Sequence, residues 1–184
     1  VRGGTVMKGY YNKPEATQEV FTEDGFFRTG DAGRLTDDNE IVLTERIKDL
    51  YKTSNGKYIA PQAIETRISE DKYIDQVAVI GDQRKFVSAL IVPNYDALEE
   101  YAREQGIIFQ SIQELVENKL IHDFLFGRIE LLQSQFTNYE KIKRFALLPE
   151  PFRMETGELT NTLKLRRKVV LEKYASMIDR LYID

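Results

Sequence analysis

A lysine follows a threonine-rich turn in Glu158-Leu159-Thr160-Asn161-Thr162-Leu163-Lys164-Leu165-Arg166-Arg167, and by residue type it is one cation at the start of a basic helix. An ammonium held at such a turn can favour a transition state in which negative charge gathers on phosphoryl oxygens. A competing reading makes Lys164, Arg166, Arg167, Lys168 and Lys173 the basic face of a surface helix, or a weak nucleic-acid patch. Upstream, Phe27-Arg28-Thr29-Gly30-Asp31 sets a carboxylate at a glycine turn beside a strand. Such a group can accept two hydrogen bonds from the adjacent hydroxyls of a ribose, with Gly30 letting the backbone come close. The alternative for Asp31 is a turn aspartate that caps its own backbone. In Glu45-Arg46-Ile47-Lys48-Asp49, Arg46 offers a planar, permanently charged fork for phosphate and ribose oxygens, or is one member of a solvated charge cluster. Asn55-Gly56 is a strong turn signal and, by residue type, no more than that.

These side chains need elements to hold them. Residues 27–35 and 41–44 flank a polar cluster at 36–40 and predict a hairpin within a β-rich segment over residues 1–45. A lone hairpin does not stand in water, so this one is expected at the edge of a larger domain. Pro61 opens a helix that runs to Ile68. Residues 74–80 and 86–92 are β-rich runs joined by Gly81-Asp82-Gln83-Arg84-Lys85, a second hairpin. Residues 95–104 and 111–135 carry apolar residues at helical spacing. A short strand is expected at 143–148 and a terminal helix at 165–181. Helices with a few short strands predict an α+β fold. The chain has no internal repeat and no low-complexity segment.

Composition excludes several classes. The 184 residues are 42% hydrophobic and 30% charged, a globular mixture able to bury a core. A net charge of −4 gives no general attraction for nucleic acid or an anionic membrane, and no nucleic-acid partner is expected. The absence of cysteine removes disulfides and thiolate chemistry and weakly favours a reducing compartment. The single histidine, His122, lies in a helical run without a carboxylate and hydroxyl around it, and is read as structural. No metal site is expected from such a composition. No apolar run approaches the roughly 20 residues that span a bilayer. Val1-Arg2-Gly3-Gly4 is neither an initiator methionine nor a signal peptide, so the chain is read as an excised piece of something longer.

The three segments, in this order, resemble the adenylate-forming (AMP-binding) enzymes, and among them the long-chain fatty acid–CoA ligases. Residues 27–31 are similar to the family's YRTGD motif with Phe27 in place of tyrosine, and residues 1–20 to the stretch that leads into it. The Arg46-Ile47-Lys48-Asp49 segment resembles the hinge between the two domains. Asn55-Gly56-Lys57-Tyr58-Ile59-Ala60-Pro61 is similar to a loop in its long-chain form, and Lys164 falls at the C-terminal lysine. The family usually has a proline and a glycine near that lysine, where Asn161 and Leu163 stand here. Leucine before the lysine is familiar in the long-chain branch.

The resemblance implies roles. Asp31 grips the ribose of ATP and acyl-AMP, Arg46 contacts the nucleotide, and Lys48 is the hinge residue. Gly56, with Lys57 beside it, lies on the loop facing the pantetheine arm of coenzyme A, where a β-carbon would crowd the tunnel. Lys164 serves adenylation. The implied fold is the small C-terminal domain of the family over residues 48–184, a short antiparallel sheet flanked by helices. Residues 1–47 are then the last β-strands of the large N-terminal domain. The implied reaction joins a long-chain fatty acid to coenzyme A through acyl-AMP, releasing AMP and pyrophosphate. Magnesium is expected in the full-length enzyme but not on these residues. The phosphate loop and acyl tunnel are absent, so the isolated piece is expected to be inactive. A cytoplasmic location goes with this, with peripheral membrane association of the full-length enzyme left open. Two alternatives remain: another adenylate former, such as a short- or medium-chain ligase or a peptide-synthetase adenylation domain, or a non-catalytic nucleotide-binding module.

Overall fold

The computed structural model describes residues 1–183, with Thr44 and Glu45 described by backbone alone. Two compact units divide the chain, Val1–Leu50 and one that begins at Tyr51.

In the first unit, α1 (Pro14–Val20) starts at a proline whose missing N–H costs nothing at a helix start. Its position within the segment expected to be β-structure is a correction: Pro14 and the Glu15-Ala16-Thr17-Gln18-Glu19 run favour a helical turn. The side chain of Thr17 fastens it, donating to the Lys13 carbonyl at 2.8 Å and accepting from the Tyr10 N–H at 2.9 Å. The expected hairpin follows as β1 (Asp31–Leu35) and β2 (Ile41–Arg46). Thr36 Oγ1 accepts from the Glu40 N–H at 3.0 Å, and Asn39 takes a positive φ of 61°, which asparagine tolerates. The antiparallel register runs from Leu35 opposite Ile41 to Asp31 opposite Arg46, with a slip between Ala32 and Gly33. A β-carbon on Gly33 would lie 2.9 Å from the Val42 carbonyl, so the irregularity requires glycine. Leu35, Ile41 and Leu43 are exposed, and no described residue of this unit is buried. A 3-10 helix, Ile47–Asp49, closes the unit between extended residues Arg46 and Leu50.

The second unit opens with β3 (Tyr51–Lys52) and β4 (Tyr58–Ile59), a two-strand ribbon around Gly56. Next come α2 (Pro61–Ile68), β5 (Ile74–Ile80), β6 (Val87–Pro93) and α3 (Tyr95–Glu104). Asn94 caps α3 by accepting from the Ala97 N–H at 3.1 Å. Then follow α4 (Ile112–Glu117), α5 (Lys119–Leu132), β7 (Ile142–Leu147), α6 (Arg167–Lys173) and α7 (Ala175–Arg180).

Strands β5, β6 and β7 form one sheet with β6 in the centre. All seven residues of β6 are buried, because both faces of the sheet are covered. Its alternation feeds two cores. Val87, Ala89 and Ile91 pack with Ile64, Ile68, Leu98, Leu125 and Ile129. Leu90 and Val92 pack on the other face with Leu148, Phe152, Val170 and Ile178. Fully burying a leucine or isoleucine stabilises by about 1.5–3 kcal/mol.

Two expectations change here. β5 and β6 pair antiparallel as expected, but β7 joins β6 in parallel. The chain between them passes through α3, α4 and α5, a connection long enough to return it to the same end of the sheet. The helix expected over 111–135 is divided at Asn118, whose ψ of 126° stops α4 while its side chain accepts from the Leu120 N–H at 2.9 Å to cap α5. The terminal helix is likewise divided, at Tyr174. His122 stacks on Phe145 with ring centroids 4.1 Å apart, a packing role. Among the described residues no helix is long and apolar enough to cross a membrane.

Candidate functional site

In the first unit the hairpin register brings Asp31 and Arg46 together. They face each other across β1 and β2, with Arg46 Nε 3.5 Å from Asp31 Oδ1. Asp31 is partly shielded and Arg46 open to solvent, so the pair contributes little to stability. Gly30 adopts φ +77° ahead of Asp31, and its carbonyl accepts from the Ile47 N–H at 2.8 Å. The glycine turn is thereby tied to the 3-10 helix that carries Lys48. Lys48 is exposed on a single tight turn flanked by extended backbone.

In the second unit, the turn at Gly56 stands at the end of the β3–β4 ribbon. Its φ of +77° is the conformation that glycine adopts without a β-carbon penalty. The turn is closed by the Gly56 N–H to the Thr53 carbonyl at 2.8 Å and the Thr53 N–H to the Lys57 carbonyl at 2.9 Å. No atom of this chain lies within 4 Å of where a β-carbon on Gly56 would stand. Lys57 is exposed, its ammonium 5.7 Å from the centre of the Tyr139 ring. The β5–β6 turn buttresses this ribbon. Asp82 Oδ1 accepts from the Lys52 N–H at 3.1 Å, and the Ser54 N–H donates to the Arg84 carbonyl at 3.0 Å.

Lys164 sits on a different turn. Leu159 and Leu165 form an antiparallel bridge, and the Thr160 N–H donates to the Lys164 carbonyl at 2.8 Å. Thr160 Oγ1 accepts from the Lys164 N–H at 3.0 Å, so the threonine-rich sequence is what closes the turn. Leu163, exposed, takes φ +59° directly before the lysine. The Lys164 side chain is exposed, and no described residue supplies its ammonium with a hydrogen bond or ion pair. It is therefore a cation available to an anion from outside the unit.

Of the neighbouring basic residues, Arg166 is likewise exposed and without an ion pair among the described residues, whereas three others lie against carboxylates. Arg167 holds Glu65 through two hydrogen bonds of 2.6 and 2.8 Å. Lys173 binds Glu158, and Lys168 lies 3.9 Å from Glu172. Glu158, within the motif, is fully buried, and its carboxylate accepts from Lys173 and from the Thr156 hydroxyl. Burial alone would push this carboxyl up; the Lys173 ammonium and the Thr156 hydroxyl outweigh it and lower the pKa to about 2. Burial also opposes the charge of Arg167, yet Glu65 holds it more firmly protonated than usual. The Tyr51 hydroxyl is pushed up by burial, against the pull of Arg167.

Residue types mark the exposed groups but not the side chains that hold their turns in place. Glu158 stood inside the motif, but burial has no local signature. Glu65 and Arg167 are 102 positions apart, and Asp82 had only a turn to announce it. Among the described residues there is no group of three or more His, Cys, Asp or Glu side chains able to hold a metal ion.

The chain has relatives among known proteins. Residues 48–184 match the family model for the C-terminal domain of AMP-binding enzymes. The chain is 36% identical over 183 residues to the long-chain-fatty-acid–CoA ligase FadD15 of Mycobacterium tuberculosis, covering 99% of this chain and 30% of the relative. It is 34% identical to long-chain-fatty-acid–CoA ligase 5 of Mus musculus, over 99% of this chain and 27% of the relative. Among solved structures, the A domain of a carboxylic acid reductase from Segniliparus rugosus, in complex with AMP and a carboxylic acid, aligns with a TM-score of 0.75 and 28% identity. That alignment covers 98% of this chain and 27% of the other. The chain spans less than a third of the length of these proteins.

Proposed function

The chain belongs to the AMP-binding enzymes through their C-terminal domain, and from that premise we propose that it serves a long-chain fatty acid–CoA ligase. The observation that carries this reading is one unit presenting two exposed, well-closed turns, one offering the unpaired ammonium of Lys164 and the other the bare backbone of Gly56.

Two steps make up the proposed reaction. The fatty acid carboxylate attacks the α-phosphorus of ATP, the bond to pyrophosphate breaks, and acyl-AMP forms. Lys164 stabilises the negative charge that grows on the phosphoryl oxygens in that step. The thiol of coenzyme A then attacks the acyl carbonyl, giving up its proton, and AMP leaves. The Gly56 turn accompanies this second step, its missing side chain leaving room for the pantetheine arm, with Lys57 beside it. Asp31 accepts from the ribose hydroxyls in both steps, and Arg46 keeps its carboxylate oriented while contacting the nucleotide. Lys48 is the pivot at which residues 48–184 turn between the steps, exchanging one loop for the other. Leu35, Ile41 and Leu43, exposed on the hairpin, suit residues 1–47 to packing within a larger domain. Magnesium would accompany ATP; the described residues offer it no carboxylate cluster, and no step is routed through it. A cytoplasmic site of action, or one peripheral to a membrane that supplies fatty acid, fits these substrates. On this reading residues 1–184 do not complete the reaction alone.

The test is Lys164→Ala in the full-length enzyme. Acyl-AMP formation should fall by about 10²–10³, the cost of removing one preorganised charge-stabilising donor. Thioester formation from supplied acyl-AMP should persist. Equal loss in both steps would sink the assignment. The likeness to the carboxylic acid reductase domain favours a second reading, in which the acyl-AMP is passed to an acceptor other than coenzyme A. AMP release that does not depend on coenzyme A would decide for it.

A further inference from the structure

We propose that Glu158 is a positioning residue for adenylation, fixing the base of the Lys164 turn through Lys173; this rests on the role given to Lys164 above. Residues 160–164 contribute no fully buried side chain, so the direction in which Lys164 points is set where the turn joins the domain. Glu158 stands at that junction and grips both arms. Its backbone carbonyl accepts from the Arg166 N–H at 2.6 Å, on the far arm. Its carboxylate accepts from Lys173 on α6, from the Thr156 hydroxyl, and from the Arg153 N–H at 3.5 Å. The Leu159–Leu165 bridge then leads directly to Lys164.

Packing does not call for a carboxylate here. A fully buried ion must be taken out of water, and an apolar residue of similar volume often does as well for stability. What the ion pair supplies instead is a directional link from the turn to α6, whose Val170 is anchored in the core. A misplacement of about 1 Å at a reacting group can cost about 100-fold in rate. The Gly56 turn draws its support from Asp82 and Arg84 instead, so loosening Glu158 should leave it in place.

The experiment uses the full-length enzyme with Glu158→Gln, Lys173→Met and Lys173→Arg. Pyrophosphate release with ATP and a long-chain fatty acid is followed separately from acyl-CoA formation with supplied acyl-AMP. Glu158→Gln and Lys173→Met should lower kcat for adenylation by about 10- to 100-fold with KM for ATP unchanged, as expected of displaced rather than deleted chemistry. Thioester formation should be unaffected, and Lys173→Arg should restore adenylation. A merely structural role would lower both steps together, and that result overturns the proposal, as does no loss in either. If a single variant does not fold, the double variant Glu158→Gln with Lys173→Met, which leaves no charge buried alone, carries the test. If Lys164→Ala spares acyl-AMP formation, the underlying reading has failed. If Lys164→Ala abolishes it while Glu158→Gln and Lys173→Met do not weaken it, only this proposal has failed.

Discussion

Arg167 lays two guanidinium nitrogens on the two carboxylate oxygens of Glu65, at 2.6 and 2.8 Å, across 102 positions of sequence. Glu65 Oε1 also accepts from the Val79 N–H at 2.8 Å, and the guanidinium lies 5.5 Å from the centre of the Tyr51 ring. The first residue of α6, three after Lys164, is thereby fixed to α2 and, through Glu65, to β5. Fork-to-fork pairs of this kind hold orientation as well as charge.

Arg167→Ala would leave the Glu65 carboxylate, only 14% exposed, without its partner. Breaking such a pair from one side costs about 3 kcal/mol. Chemical denaturation should show that loss, with Arg167→Lys recovering only part of it because an ammonium cannot reproduce the fork. A midpoint unchanged in Arg167→Ala would show the pair to be incidental.

Leu163 holds a φ of +59° that L-residues other than asparagine and aspartate seldom adopt. Glycine removes the β-carbon clash, worth about 1–2 kcal/mol, but is itself more costly to order, by about 0.5–1 kcal/mol. Leu163→Gly should therefore raise stability slightly while loosening the turn, so the melting temperature should rise as adenylation slows. A fall in melting temperature would mean that the exposed leucine makes a contact worth more than its strain.

Gly56→Ala meets open space in this chain but must keep φ +77°, at a cost of about 1 kcal/mol. Gly56→Leu in the full-length enzyme should add an obstacle felt only when coenzyme A is in place. Acyl-AMP formation should survive it and thioester formation should not. Normal turnover of coenzyme A by that variant would refute the placement of the pantetheine arm.

Glu158 ties stability to pH. Its pKa in the folded chain, about 2, lies below the ordinary value of 4.5, so the folded form binds its proton less readily than the unfolded one. The stability it contributes is fully present above about pH 4.5 and is lost as pH falls from there through about 2. Unfolding free energies measured down this range should fall less steeply in Glu158→Gln than in the parent chain. Parallel slopes would show that the carboxylate titrates alike in both states.

Residue order by itself determined where most elements lie and which side chains could do chemistry. The β-rich runs around Val77–Ile80 and Val87–Val92, the spacing over Tyr95–Glu104 and the proline at 61 act on neighbours a few residues apart, so they can be read locally. Asp31, Arg46, Gly56 and Lys164 likewise stand out by type and by the turns around them. Tertiary structure decided the rest. The parallel seat of β7 depends on where a chain of three helices returns it to the sheet. Asp31 faces Arg46 only because the hairpin register slips at Gly33. Arg167 and Lys173 read as a solvated basic face until Glu65 and Glu158 are placed against them. Burial and long-range pairing are properties of neighbours in space, and those neighbours are assembled only when the two faces of the β6 sheet are covered.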